Sequence, residues 1–340
     1  MTHGDPSGHF LTAARGGKPT QRPMWIMRQA GRYLPEYREL RSKYAFLDLC
    51  NTPEAACEVT MQPIRRYDMD AAILFTDLLV PVPPMGIGLD YQPGPVLAKT
   101  VGTRDEVDAL KIPEPERDLA PMLETVRLVR KELDPSKALI GFVGAPFTMA
   151  CYLTEGRGSK NWDVTRTLMH RDPETFSALL AKIAACQKPL VQALVAAGCD
   201  AIQVFDSWAS VLSTEDWAER CAPHTDMLLQ TARDADAVAI NYVNGAPQHI
   251  DRMAQSPGNV LAFDWRMPIG EVRARVPAKY ALQGNLDPTA LYCDEATLRR
   301  KVAQVCRDGG DSHIFNLGHG ILPSVDPAAL AIVVDEVRKS

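Results

Sequence analysis

Eight short runs of β-branched or apolar residues recur along this 340-residue chain, each running into Gly, Asp, Asn or Arg, with helical pattern between most of them. The pattern predicts strands at 24–27, 71–75, 138–143, 201–205, 238–241, 260–263, 281–283 and 314–316. It predicts helices at 52–67, 120–132, 173–197, 214–234, 295–308 and 327–339. Thr52-Pro53-Glu54, Asp172-Pro173-Glu174 and Asp326-Pro327 each place an N-cap residue before a proline at the first helical position. Eight βα units read as an α/β fold, a single-domain (β/α)8 TIM barrel with its active site at the C-terminal ends of the strands. A doubly wound sheet would want Gly-x-Gly-x-x-Gly after an early strand, and the chain has none. Residues 10–340 are expected to form the barrel and residues 1–9 a disordered arm.

Composition narrows the function. Hydrophobic residues make up 46% of the chain, enough for a large core, and no apolar run reaches the roughly 18 residues of a membrane span. The start lacks a basic segment followed by a long apolar one, so a cytoplasmic location is expected. Cysteines at 50, 57, 151, 186, 199, 221, 293 and 306 stand singly, as reduced residues do, and suggest neither a disulfide framework nor a metal site. The net charge of -5, with both signs interspersed, argues against nucleic-acid binding. An anionic ligand would therefore have to meet a local basic pocket.

One such pocket is written at 24–33. The apolar run 24–27 leads into Arg28, Gln29, Gly31, Arg32 and Tyr33. Two arginines around a glycine suit bidentate capture of carboxylates. The alternative is a solvated pair balanced by Glu36 and Glu39.

The string Pro-x-Trp-x-Met-Arg-Gln-Ala-Gly-Arg, from Pro23 to Arg32, closely resembles the N-terminal signature of the uroporphyrinogen decarboxylase family, and 141–156 is similar to its second signature. Further matches at Phe75-Thr76-Asp77, 205–209, 284–288 and 316–320 extend the resemblance over nearly the whole chain. Ser210 departs from it, standing where the family usually has glycine.

The resemblance implies the reaction: four acetates of uroporphyrinogen become methyls, with loss of four carbon dioxides. A pyrrole protonated on a ring carbon is cationic and accepts the electrons as the carboxylate leaves, so no pyridoxal-phosphate lysine, thiamine site or metal is required. By the same resemblance Asp77 is the central carboxylate for the pyrrole NH groups, with Arg28 and Tyr152 as its catalytic companions. Arg28, Gln29 and Arg32 would bind rim carboxylates; Tyr152, Ser207 and His319 would supply polar contacts; Phe46 and Phe205 would face the macrocycle. Each has a plainer reading: Asp77 as an N-cap or loop acid, Tyr152 and the phenylalanines as core, Ser207 as a strand-end cap, His319 as a structural histidine. No cofactor and no metal is expected, and the expected partners are the porphyrinogen and a second copy of the chain, with no nucleic acid and no membrane. A zinc-dependent methyltransferase on a related barrel is disfavoured, because no histidine is followed two residues later by cysteine. A non-catalytic tetrapyrrole carrier would need the arginines but not Asp77.

Overall fold

Apolar runs without polar alternation suit strands covered on both faces, and most of these runs become such strands. The computed structural model describes residues 8–340. Its strands are β1 (Ala71–Ile73), β2 (Leu89–Tyr91), β3 (Pro95–Leu97), β4 (Ala138–Gly144), β5 (Ala201–Asp206), β6 (Val238–Val243), β7 (Val260–Ala262), β8 (Ala281–Leu286) and β9 (His313–Leu317). Strands β1 and β4 to β9 form one curled parallel sheet of seven, each beside its neighbour in sequence. β2 and β3 make a separate antiparallel hairpin. Strand residues of both parities are buried, one set against the helices and the other inside the curl, where Ala71, Ala138, Ala201 and Ala281 lie at the N-terminal end. Those small residues leave room for Phe10, Ala13 and Ala14 of helix Gly8–Ala14, which joins the same interior cluster. The helix thus begins inside the arm expected at 1–9; residues 1–7 lie outside the described residues.

The eighth expected strand, 24–27, is absent. Met24 makes a single parallel bridge to Phe315, and Asp70 N donates to Met24 O at 3.0 Å on the other side. Other donors of the segment go to side chains: Met24 N to Asp70 Oδ2 (2.8 Å), Ile26 N to Gln29 Oε1 (3.0 Å) and Met27 N to Asn316 Oδ1 (2.9 Å). Pro23 has no N–H to offer a ladder. The segment therefore spans the gap between β9 and β1 with side-chain acceptors in place of a strand partner.

The expected helix 214–234 is interrupted. A wide turn at Trp217–Cys221 separates Thr214–Asp216 from Ala222–Asp234, just ahead of Pro223. Helix Pro173–Ala197 is long and apolar enough to cross a membrane by composition, but Leu179, Leu180, Ile183, Leu190, Val191 and Leu194 are buried in the fold.

Asp206, at the end of β5, is fully buried and ties two helices to the sheet. It accepts from Thr148 Oγ1 at 3.0 Å and from Trp217 Nε1 at 2.8 Å. Burial pushes its carboxyl up to about 6 from 3.8, against the pull of those two donors. The folded state then holds a proton that the unfolded state has released between those values. Stability from this group therefore falls as pH rises from about 4 to about 6 and is level above. Asp206→Asn should remove that descent: relative to the wild type, its unfolding free energy should gain about 1.5–3 kcal/mol across the window. Urea titrations from pH 4 to 7 measure this, and parallel curves for the two proteins would contradict it.

Candidate active site

Arg28 follows the bridging segment with φ +65, a left-handed conformation that costs a branched or long side chain about 1–2 kcal/mol. Its neighbours hold it there. Met27 O accepts from Ile321 N at 2.9 Å, Gln29 N donates to Ile26 O at 2.7 Å, and Gln29 Nε2 donates to Ala71 O at 3.0 Å. The guanidinium arm lies over Gly320, where a Cβ would come within 2.4 Å of Arg28 Cδ. Gly318 is equally confined, since a Cβ there would sit 2.5 Å from Trp265 N. The glycines around His319 thus allow close packing and are not sources of flexibility.

The two acids that might have neutralised the arginine pair are engaged elsewhere. Glu36 takes a two-pronged bond from Arg66 (2.7 and 2.9 Å), and Glu39 pairs with Lys43 at 2.9 Å. Arg28 and Arg32 are both exposed. The solvated-pair reading loses its counter-ions.

Asp77 lies in the loop after β1. Its Oδ1 accepts from Leu79 N at 2.9 Å, and its surface is only partly open. Burial pushes its carboxyl above the usual range, while the Tyr91 hydroxyl, the Leu79 amide and the Arg28 charge pull it back. The Tyr91 hydroxyl is buried without a well-formed hydrogen bond, and its phenol is pushed up by burial and by the Asp77 charge.

Tyr91 reaches Asp77 because the hairpin β2–β3 docks on the segment that follows the Tyr152 helix. Leu97 N donates to Gly156 O at 2.7 Å, and Val96 bridges Arg157. Tyr152 itself sits within helix Pro146–Glu155 rather than in a loop, packed against Trp162 and Trp208 with ring centres at 5.1 and 6.3 Å. Burial pushes its phenol up to about 12, with Asp77 adding to the shift and Arg28 opposing it. Asp77, Arg28, Tyr91 and Tyr152 therefore form one electrostatic cluster.

Around it lie the other expected residues. Phe46 stacks edge-on to Tyr91 and Phe75, with ring centres at 4.8 and 6.1 Å. Phe205 forms edge contacts with Phe142 and Tyr242 at the C-terminal end of the sheet interior. Ser207 follows β5, its carbonyl held by Asn244 Nδ2 at 3.0 Å. His319 is partly buried; burial, Arg28 and Arg266 push its imidazole down to about 4, so it is neutral at physiological pH. Gln29 is the exception. It is fully buried, its amide oxygen accepting from Ile26 N and its amide nitrogen donating to Ala71 O, so it braces the segment from beneath the surface.

Several residues were missed. Tyr91 carries no signal, because it sits in a hairpin with no counterpart in the βα pattern. Asp264, Trp265 and Arg266 follow the strand expected at 260–263, and a charged-aromatic triplet at a strand end is a signal that was legible. Ser210, the residue that departs from the usual string, packs against Gly245, whose φ of +80 and bare Cα leave it space.

Comparison with known proteins decides the family. The uroporphyrinogen decarboxylase (URO-D) family model matches residues 5–340. The uroporphyrinogen decarboxylases of Trichlorobacter lovleyi and Geobacter sulfurreducens are each 44% identical over 336 residues, covering 98% of both chains. This chain belongs to the uroporphyrinogen decarboxylase family. Among solved structures, a methyltransferase from Methanosarcina mazei aligns with a TM-score of 0.83 at 16% identity over 99% of each chain. A vitamin B12-independent methionine synthase from Shewanella aligns at 0.60 and 11%, over 94% of this chain and 95% of that one. At such identities the likeness is one of fold. Among the described residues no three His, Cys, Asp or Glu side chains converge as metal ligands would.

The strain at Arg28 is testable apart from activity. Arg28→Gly and Arg28→Ala both remove the guanidinium, but only glycine is free of the left-handed penalty. The glycine variant should be the more stable by about 0.5–1 kcal/mol in chemical denaturation, the reverse of the usual order. A glycine variant equal to or weaker than alanine would show that the backbone there is unstrained.

Proposed function

We propose that this protein converts uroporphyrinogen to coproporphyrinogen, in tetrapyrrole biosynthesis, without a metal or an organic cofactor. The observation that carries the reading is Asp77: a desolvated carboxylate in a mouth whose two arginines form no salt bridge among the described residues, Glu36 and Glu39 being paired elsewhere. A free carboxylate held in that state is stabilised by any ligand that brings several N–H donors to it, as four converging pyrroles do.

Each cycle adds one proton and releases one carbon dioxide. A ring carbon of the pyrrole next to the acetate is protonated, and the ring becomes cationic. The bond from the acetate methylene to its carboxylate breaks, its electron pair enters the ring, and an exocyclic methylene forms. That carbon is then protonated and the ring carbon returns its proton, leaving a methyl. Asp77 stabilises the cation through its fixed charge and does not itself move a proton. Arg28 holds a carboxylate beside Asp77 and orients proton delivery, since a free guanidinium, with a pKa of about 12.5 or more, is a poor acid. Tyr152 keeps its proton at neutral pH and donates a hydrogen bond toward the same region. Arg32, Ser207 and the neutral His319 contact rim carboxylates, and Phe46 and Phe205 face the ring system.

The segment 23–27 acts in this reading as the eighth stave of a closed barrel, and 10–340 as one domain. The interspersed charge of -5 supports an enzyme that does not bind nucleic acid, and a cytoplasmic location away from membranes is part of the same reading. A homodimer rests on the family resemblance alone; sedimentation at micromolar concentration reads it directly.

Anaerobic incubation with uroporphyrinogen should yield coproporphyrinogen and four carbon dioxides per macrocycle. Arg32→Ala should raise KM roughly tenfold to a hundredfold, the range for a lost charge-assisted hydrogen bond, and Arg28→Ala should lower turnover as well. A folded wild-type protein that releases no carbon dioxide would overturn the reading.

A further inference from the structure

We propose that Arg266 is a third carboxylate clamp of this mouth and that it holds a substrate carboxylate which survives the reaction; this rests on the porphyrinogen reading above. The loop that follows β7 is built around a fully buried acid. Asp264 accepts from Gly245 N at 2.6 Å, from Arg266 N at 2.9 Å and from Arg266 Nη1 at 2.7 Å. Arg266 Nη1 also donates to Asn244 Oδ1 at 3.0 Å, and the guanidinium lies 4.6 Å over the Trp265 ring. Asn285 Nδ2 pins the loop at both ends, through Asp264 O (2.8 Å) and Met267 O (2.7 Å).

An exposed arginine is ordinarily a mobile one, and an exposed ion pair contributes little. Here the acid already has two backbone donors, so the ion pair serves more to fix the arginine than to satisfy the aspartate. The result is a side chain 45% exposed yet held on three sides. Its Nε and Nη2 have no hydrogen-bond partner among the described residues. That edge is the planar fork that takes a carboxylate two-pronged, and its ordering cost is already met. The fork belongs to the mouth: the Trp265 ring lies 6.5 Å from the His319 ring, and both His319 and Tyr242 feel Arg28 and Arg266 together.

The position also selects which carboxylate it holds. A cation gripping the carboxylate that departs would favour the ground state over a transition state losing that charge. Arg28 reaches both Asp77 and His319, whereas Arg266 is felt at His319 and Tyr242 and is not among the groups acting on Asp77, so in this proposal it lies off the pyrrole that reacts over Asp77. Its ligand is therefore a side chain present in both substrate and product.

The test compares Arg266→Gln and Arg266→Lys with wild type under anaerobic turnover, reading KM for uroporphyrinogen, kcat, and inhibition by coproporphyrinogen. Arg266→Gln should raise KM and the product inhibition constant together, each roughly tenfold, with kcat within about twofold. Arg266→Lys should recover the charge but not the fork, leaving both constants about threefold above wild type. Unchanged constants in a folded Arg266→Gln would overturn the clamp, as would a fall in kcat alone, the mark of a merely structural role. A raised KM with normal product inhibition would overturn the choice of a surviving carboxylate. If the glutamine variant does not fold, a lysine variant with wild-type constants overturns the forked contact. Wild-type protein that fails to convert uroporphyrinogen defeats the parent reading instead.

Discussion

The mouth of this fold depends on a segment that must join the two ends of the sheet without being a strand. Residues 23–27 have one backbone bridge to β9 and one hydrogen bond to the residue before β1; the remaining donors are taken by Asp70, Gln29 and Asn316. Each such bond contributes about 1 kcal/mol net, more where the acceptor is charged, and leaving any of these buried N–H groups unpaired would cost more than the bond contributes. Because the brackets are side chains, the backbone is free to turn sharply immediately afterwards. That turn carries Arg28 into the left-handed region and lays it over Gly320, across from Asp77.

The chain as a whole is acidic, so recognition of a polyanion has to be local. The structure achieves this by spending its surface acids on other cations, as Arg66 does with Glu36 and Lys43 with Glu39, while leaving the arginines of the mouth open. Asp77, an acid kept there, is destabilised by burial and steadied by a phenol, an amide and an arginine. Paired charge at the centre and unpaired positive charge at the rim suit a ligand with polar N–H groups inside and carboxylates outside.

Much of this was legible in the residues. Runs such as 201–205 and 238–241 are apolar at every position because helices cover one face and the sheet interior the other, and they became β5 and β6 almost unchanged. The run 24–27 looked the same and failed as a strand, since apolar character reports burial and says nothing about which group accepts each N–H. The same blindness affected Gln29, read as a ligand contact beside two arginines when it is fully buried and its amide braces the backbone. Glu36 and Glu39 were near the arginines in sequence, but Glu36 found its partner on another helix and Glu39 one turn along its own. Asp77 was visible through its motif; Tyr91, from an inserted hairpin, had no local sign of where it would land.

The central claim is that Asp77 acts through its charge. Asp77→Asn keeps size and some hydrogen bonding but removes that charge, whereas Asp77→Glu keeps the charge and displaces it by one methylene. Comparing kcat for the two folded variants on uroporphyrinogen separates the possibilities. The account predicts a loss of at least about two orders of magnitude for asparagine, about 3 kcal/mol of transition-state stabilisation, and partial activity for glutamate. An aspartate serving only as a loop cap would give the opposite order, because asparagine caps about as well as aspartate. Near-normal turnover in Asp77→Asn would contradict the account.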